Sequence, residues 1–210
     1  GDKEKAEKIL GNCFAVLMIL AVILTGVFYY TCPTLLRWFG ASDVTLPYAV
    51  EYAQIYILGS VFVLTVMGMN TFITAQGFTT ISMIAVMIGA VCNIALDPLL
   101  IFGFDMGVKG AALATILSQG VSAIWVLRFL TGKQTKWHLT RKNLRPIPSV
   151  FLPCMALGLS PFIMQSTESL ISVCFNSSLL KYGSDLAVGT MTILTSIMQF
   201  TMMPLMGLSQ

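Results

Sequence analysis

The sequence predicts an all-α integral membrane protein with about six transmembrane helices, and three observations carry that prediction. Of its 210 residues, 56% are hydrophobic and 10% are charged, where a soluble domain carries about 25% charged residues. The 45 residues between Glu51 and Asp97 contain no charge. As one helix at about 1.5 Å per residue they would run more than twice the roughly 30 Å hydrocarbon core, so the run must fold back. Four further uncharged runs, 9–36, 110–127, 146–167 and 186–210, are each long enough to cross. A mean hydropathy of +0.84 excludes a disordered chain. The net charge of +3 is too small to suggest a nucleic-acid partner, which leaves the lipid bilayer as the first partner.

The spans follow in order. The first is expected over 9–30, longer than a signal-peptide core and closed by Cys32-Pro33 with no small-residue cleavage pattern. The second, 52–74, and the third, 80–102, share the long uncharged run. Their break falls at Thr74-Ala75-Gln76-Gly77-Phe78-Thr79-Thr80, where Gly and three Thr interrupt the apolar pattern. The fourth covers 109–130, the fifth 151–176 and the sixth 186–208. Unbroken apolar runs argue for helices over barrel strands, which would alternate over about ten residues.

Basic residues set the expected orientation. With a cytoplasmic N-terminus, the inner segments hold Lys3, Lys5, Lys8, Arg128, Lys133, Lys136, Arg141, Lys142 and Arg145, and the outer segments only Arg37, Lys109 and Lys181. Nine against three fits the positive-inside rule. The basic segment 131–150 is then a cytoplasmic linker with four spans before it and two after it. It is read as topogenic, with an anionic-lipid site as the alternative.

Enzyme signatures are absent from the sequence. The five cysteines show no close metal-ligand spacing, His138 has no neighbouring His or carboxylate in sequence, and Gly158-Leu159-Ser160-Pro161 lacks the closing Gly of a nucleophile elbow. Polar residues at membrane depth carry the functional signal, because ionisable groups there are expensive. Asp97 ends Asn93-Ile94-Ala95-Leu96-Asp97-Pro98, and the i, i+4 spacing puts Asn93 and Asp97 on one helical face as hard oxygen ligands for a small cation. Pro98 frees a backbone carbonyl in the turn before it. The alternative is that Asp97 marks a helix end near the headgroups.

Glu168 lies deep in the fifth span, and Gln165, Glu168, Ser172 and Asn176 form one polar helical face. A carboxyl group in a low-dielectric setting favours its neutral form, which suits proton uptake and release. A structural interhelical hydrogen bond from a protonated Glu168 is the alternative. In the fourth span, Gly110, Ala114, Ser118 and Ser122 make a small-residue ridge for close helix approach, with the Thr115 hydroxyl beside it. Met191, Met198, Met202 and Met206 recur at helical spacing in the sixth span. They are core or lipid contacts by default, or a flexible cavity wall, which Met198 and Met202 would form.

At these residues the sequence resembles the multidrug and toxic compound extrusion (MATE) family. The resemblance rests on Gln76-Gly77, on Asn93-Ile94-Ala95-Leu96-Asp97-Pro98-Leu99-Leu100-Ile101-Phe102-Gly103, and on Met106-Gly107-Val108-Lys109-Gly110-Ala111-Ala112-Leu113-Ala114-Thr115 with Ser118-Gln119. It implies a two-lobed, twelve-helix transporter of which this chain resembles helices three to eight. Residues 1–130 would hold the remainder of the first lobe, 131–150 the inter-lobe linker and 151–210 the start of the second. Missing helices of the same parent chain would be partners.

The resemblance further implies a secondary active antiporter, not an enzyme. It would export organic, often cationic compounds across the plasma membrane in exchange for sodium ions or protons, with no cofactor. Asn93, Asp97 and Thr115 would supply three ligands of a coupling-cation site whose fourth, an acidic residue, lies outside this sequence. Glu168, with Gln165 beside it, would serve ion coupling or substrate binding. A lipid-linked oligosaccharide flippase of the same superfamily is one alternative, disfavoured because no span has a basic residue at its centre. A non-transporting membrane receptor or scaffold is the other.

Overall fold

The structure, a computed structural model, describes residues 2–39, 41–183 and 185–209. Among them the chain forms seven α-helices: α1 (Asp2–Trp38), α2 (Leu46–Leu58), α3 (Ser60–Ala75), α4 (Thr79–Pro98), α5 (Gly107–Thr131), α6 (Pro148–Tyr182) and α7 (Asp185–Ser209). A π-helical turn, Leu99–Gly103, extends α4, and a short 3-10 turn, Arg141–Leu144, interrupts the segment between α5 and α6. The chain is all-α, and each expected span is helical.

Four or five of the expected six crossings are long and apolar enough to be counted among the described residues. Among the described residues four helical stretches are long and apolar enough to cross a bilayer: Lys3–Trp38, Thr79–Gly103, Gly107–Thr131 and Pro148–Leu179. The second expected span is bent by 53° between α2 and α3 and makes a fifth if the pair is one crossing. In α7 the apolar stretch among the described residues, Leu186–Met202, is shorter than a full span; the side chains of Met203 and Met206 lie outside those described.

The bend at Gly59 has a packing cause. A Cβ there would lie 2.3 Å from Ile116 Cγ1, so the missing side chain lets α5 press into the break. An opened helical turn in lipid must find substitute partners. Thr25 of α1 supplies them, donating to the Ile57 carbonyl at 3.4 Å and sharing a 2.9 Å hydrogen bond with the Ser60 hydroxyl. No proline is involved, and the apolar pattern alone predicts a helix running straight through.

The reversal between α3 and α4 falls where the sequence places it. Gly77 adopts φ +89°, its N–H bonds the Thr74 carbonyl at 2.9 Å, and the Phe78 N–H bonds the Ile73 carbonyl at 3.2 Å. That pairing is a Schellman cap, which requires the left-handed conformation glycine tolerates. At the other end of α4, Pro98 has no N–H to offer the preceding turn, and the chain widens into the π turn.

The chain divides into two compact units, Gly1–Cys32 with Val50–Ser160, and Pro33–Ala49 with Pro161–Gln210. The first is built around α3, α4 and α5. Gly110, Ala114, Ser118 and Ser122 are all buried, so the expected small-residue ridge on α5 is the packing face. Ser122 Oγ donates to the Ala85 carbonyl at 2.8 Å, and a Cβ on Gly89 would lie 2.7 Å from the same Oγ. Larger side chains take over at the far end of the helices, where Leu10, Met69, Ile73, Val126 and Leu130 form a buried cluster.

The segment after α5 is folded onto this cluster. The Gln76 side-chain carbonyl accepts from Thr135 Oγ1 at 2.7 Å, from the Lys136 N–H at 2.8 Å and from the Trp137 N–H at 3.0 Å. Buried Asn12 of α1 donates to the Asn143 carbonyl at 3.3 Å and accepts from the Ile147 N–H. The 131–150 segment is therefore a docked element of the first unit as well as a carrier of charge.

In the second unit, Ser177 Oγ donates to the Trp38 carbonyl at 3.1 Å, and Arg37 lies 3.7 Å from Asp43 across the turn after α1.

Candidate functional site

Asn93 and Asp97 sit one turn apart on α4, just before the π turn, and both are half-buried. Asn93 Nδ2 donates to Asp97 Oδ1 at 3.3 Å. The bond fixes the two side chains against each other. It leaves the Asn93 carbonyl oxygen and the second Asp97 oxygen available, one neutral and one charged hard donor. A single carboxylate among neutral oxygens matches the charge of a monovalent cation and suits hard ions over soft ones.

Thr115 is half-buried on α5, and its Oγ1 donates to the Ala111 carbonyl at 3.0 Å. Two close approaches set the antiparallel register of α4 and α5. Gly89 lies against Ser122, and a Cβ on Gly110 would meet the Leu100 carbonyl oxygen at 2.7 Å. Interpolating between them puts Thr115 level with Ala95, midway between Asn93 and Asp97. The three expected ligands thus occupy one level of the α4–α5 pair. Lys109, at the start of α5, is engaged by Glu51 of α2 at 3.4 Å. Among the described residues Asp97 has no ion-pair partner.

The second unit holds Gln165 and Glu168 on α6, joined by a 3.2 Å hydrogen bond from Gln165 Nε2 to Glu168 Oε2. Both are exposed, as is the whole stretch 161–172. Farther along the same stripe, Ser172 and Asn176 line a cavity of about 470 Å³ together with Met191, Thr195 and Gln199 of α7. Met198 and Met202 are exposed and are not among its lining residues.

Sequence adjacency concealed one pairing. His138 has no carboxylate near it in the chain, yet Glu7 of α1 accepts its backbone N–H at 3.1 Å and lies 3.4 Å from Nδ1. The Gln76 acceptor role was equally hidden, although Gln76-Gly77 belongs to the motif block. Only a map of which loop closes over the α3–α4 turn could have identified it.

The profile of the MatE family matches residues 1–99. Nearly the entire chain superposes on a multidrug resistance MATE family transporter of the MOP superfamily in its outward-facing conformation, with a TM-score of 0.86 at 26% identity over 98% of this chain. Residues 1–99 thus match the MATE family, and the whole chain has the fold of a MATE-transporter segment. It is also similar to the MATE multidrug transporter DinF-BH, with a TM-score of 0.80 and 32% identity over 98% of the chain and 51% of that structure.

Among curated relatives, the multidrug export protein MepA of Staphylococcus saprophyticus is 28% identical over 92% of the chain and 43% of its own length. MepA of Staphylococcus haemolyticus is 30% identical over 81% of the chain and 37% of its own length. The chain therefore spans less than half the length of these curated relatives and 46% of the outward-facing MATE structure. It is a multi-pass membrane segment with the MATE-type fold.

Proposed function

We propose that this segment is part of a secondary active antiporter that exports organic, often cationic compounds in exchange for sodium ions or protons. Asp97, with Asn93 and Thr115, binds the coupling cation. Glu168, held by Gln165, exchanges between a protonated or cation-bound state and one facing substrate. Met198 and Met202, which do not line the cavity at Ser172 and Asn176, would wall a separate substrate cavity. Residues 1–130 and 151–210 belong to two lobes joined by 131–150, and the N-terminus and the linker face the cytoplasm at the plasma membrane.

The observation that carries this reading is the Asn93–Asp97 hydrogen bond just before a π turn. A carboxylate at membrane depth without an ion-pair partner is costly, and such residues mark ion pathways. Pro98 and the widened turn add irregular backbone beside it, a feature that recurs at functional positions in helices. Cation binding shifts the protein between inward- and outward-facing states only through a difference in affinity for the two. An Asp97 environment that changes between states would provide that difference.

The test is efflux from proteoliposomes with an imposed sodium or proton gradient, using the full-length protein. Asp97→Asn keeps size and hydrogen bonding but removes the charge. It is expected to abolish gradient-driven efflux while insertion and thermal stability are retained. Undiminished efflux would sink the assignment.

A further inference from the structure

Two cations at the end of α5 have no part in the candidate site. No charge occurs from Gly110 to Leu127, and Arg128 is the first ionisable residue after that run. Its level is where a spanning helix leaves the hydrocarbon. A cavity of about 380 Å³ opens there, with Ile81, Trp125 and Phe129 as apolar wall and Arg128 and Lys133 as charged lining. Trp125 is 40% exposed one turn before Arg128, the depth at which aromatic residues anchor to headgroups.

Neither cation has an ion-pair partner among the described residues. Among the described residues the ion pairs join Lys8 to Glu4, Arg37 to Asp43, Lys109 to Glu51 and His138 to Glu7, and none includes Arg128 or Lys133. No acid follows Arg128 in the chain until Glu168. Lys136 differs, because its Nζ donates to the Gln76 carbonyl at 2.9 Å and sits 5.5 Å from the Phe78 ring centroid. The helix dipole at the end of α5 accounts for about half an elementary charge, so two cations leave an excess. An apolar wall beside that excess suits an anion that carries hydrocarbon.

We propose that this cavity binds the headgroup phosphate of an anionic phospholipid, with Arg128 and Lys133 on the phosphate and the acyl chain along Ile81, Trp125 and Phe129. The site does not depend on the ion-coupled reading, since it shares no residue with Asn93, Asp97 or Glu168. Two uncompensated cations favour a headgroup of net negative charge over a zwitterionic one whose own ammonium offsets its phosphate, and contact with the apolar wall favours a lipid over free phosphate.

Native mass spectrometry of the purified protein in an equimolar mixture of phosphatidylglycerol and phosphatidylcholine tests this. Phosphatidylglycerol retention is expected to exceed phosphatidylcholine retention by about fivefold or more, the scale of one or two basic contacts to an anionic lipid. Arg128→Gln with Lys133→Gln should abolish the preference while phosphatidylcholine adducts persist, and Lys142→Gln should leave it intact. If the double variant loses both lipids through misfolding, Arg128→Gln alone is read, and an unchanged preference there overturns the site. Equal retention of the two lipids by the unmodified protein, an equal loss in Lys142→Gln, or full displacement by inorganic phosphate would each overturn it as well.

Discussion

The buried side-chain carbonyl of Gln76, in the turn between α3 and α4, accepts a 2.7 Å hydrogen bond from the hydroxyl of Thr135, 59 residues away in the segment after α5. Two backbone N–H groups, those of Lys136 and Trp137, bond the same oxygen. One acceptor therefore satisfies three donors in a region where water is scarce. A membrane-helix turn becomes the docking point for a basic, soluble-looking segment.

Removing that acceptor should release the segment. The Thr135 hydroxyl can turn to the Trp137 carbonyl at 3.0 Å, but the two backbone donors left unsatisfied cost about 1 kcal/mol or more each, so Gln76→Leu is expected to weaken local closure by roughly 2 kcal/mol. Cleavage by trypsin at Lys133 or Lys136 from the locally opened state should then rise by about 30-fold. Gln76→Glu makes the sharper comparison. Gln76 Nε2 has no hydrogen-bond partner among the described residues, so a carboxylate keeps all three donors and loses no hydrogen bond, and the Lys136 ammonium, 2.9 Å from the Gln76 backbone carbonyl, offsets the cost of burying its charge. Its cleavage rate should match or fall below that of the parent; accelerated cleavage in Gln76→Glu would show that the acceptor does not hold the segment.

The α4–α5 contact yields a second expectation. A Cβ on Gly89 would lie 2.7 Å from Ser122 Oγ but 3.8 Å from Ser122 Cβ, so the obstruction is a single hydroxyl. Gly89→Ala should lower the detergent melting temperature through overpacking, at a cost of about 1–3 kcal/mol. Adding Ser122→Ala should recover most of that loss, although it gives up the 2.8 Å bond to the Ala85 carbonyl. Contacting residues couple and distant ones add, so the double-mutant cycle reads the contact directly. Additive losses would mean that the two helices do not meet in this register.

Much of this architecture is legible from local pattern, and the parts that are not share a physical cause. The turn at Gly77 and the ridge from Gly110 to Ser122 are local: a positive φ demands glycine, and four-residue spacing of small side chains defines a face. The bend at Gly59 is invisible because its cause, Ile116, lies on another helix and its capping hydroxyl, Thr25, on a third. Asn93 and Asp97 are readable as a pair since one turn separates them. Their alignment with Thr115 needs the α4–α5 register, which no short window contains. Glu7 beside His138 is the extreme case, a contact across 131 residues.

Glu168 provides the remaining prediction, because its two neighbours in chemistry make different demands. If its carboxyl exchanges a proton or cation during transport, Glu168→Gln should stop both gradient-driven efflux of an organic cation and substrate-induced proton release in proteoliposomes, while Glu168→Asp retains part of each. Gln165 only orients the carboxyl through an exposed 3.2 Å hydrogen bond. Such a bond contributes about 1 kcal/mol, so Gln165→Leu should slow efflux by about fivefold and not abolish it. The two variants separate chemistry from positioning. Full efflux in Glu168→Gln would confine Glu168 to a structural hydrogen bond, and loss in Gln165→Leu as complete as in Glu168→Gln would make the pair, not the carboxyl alone, the functional unit.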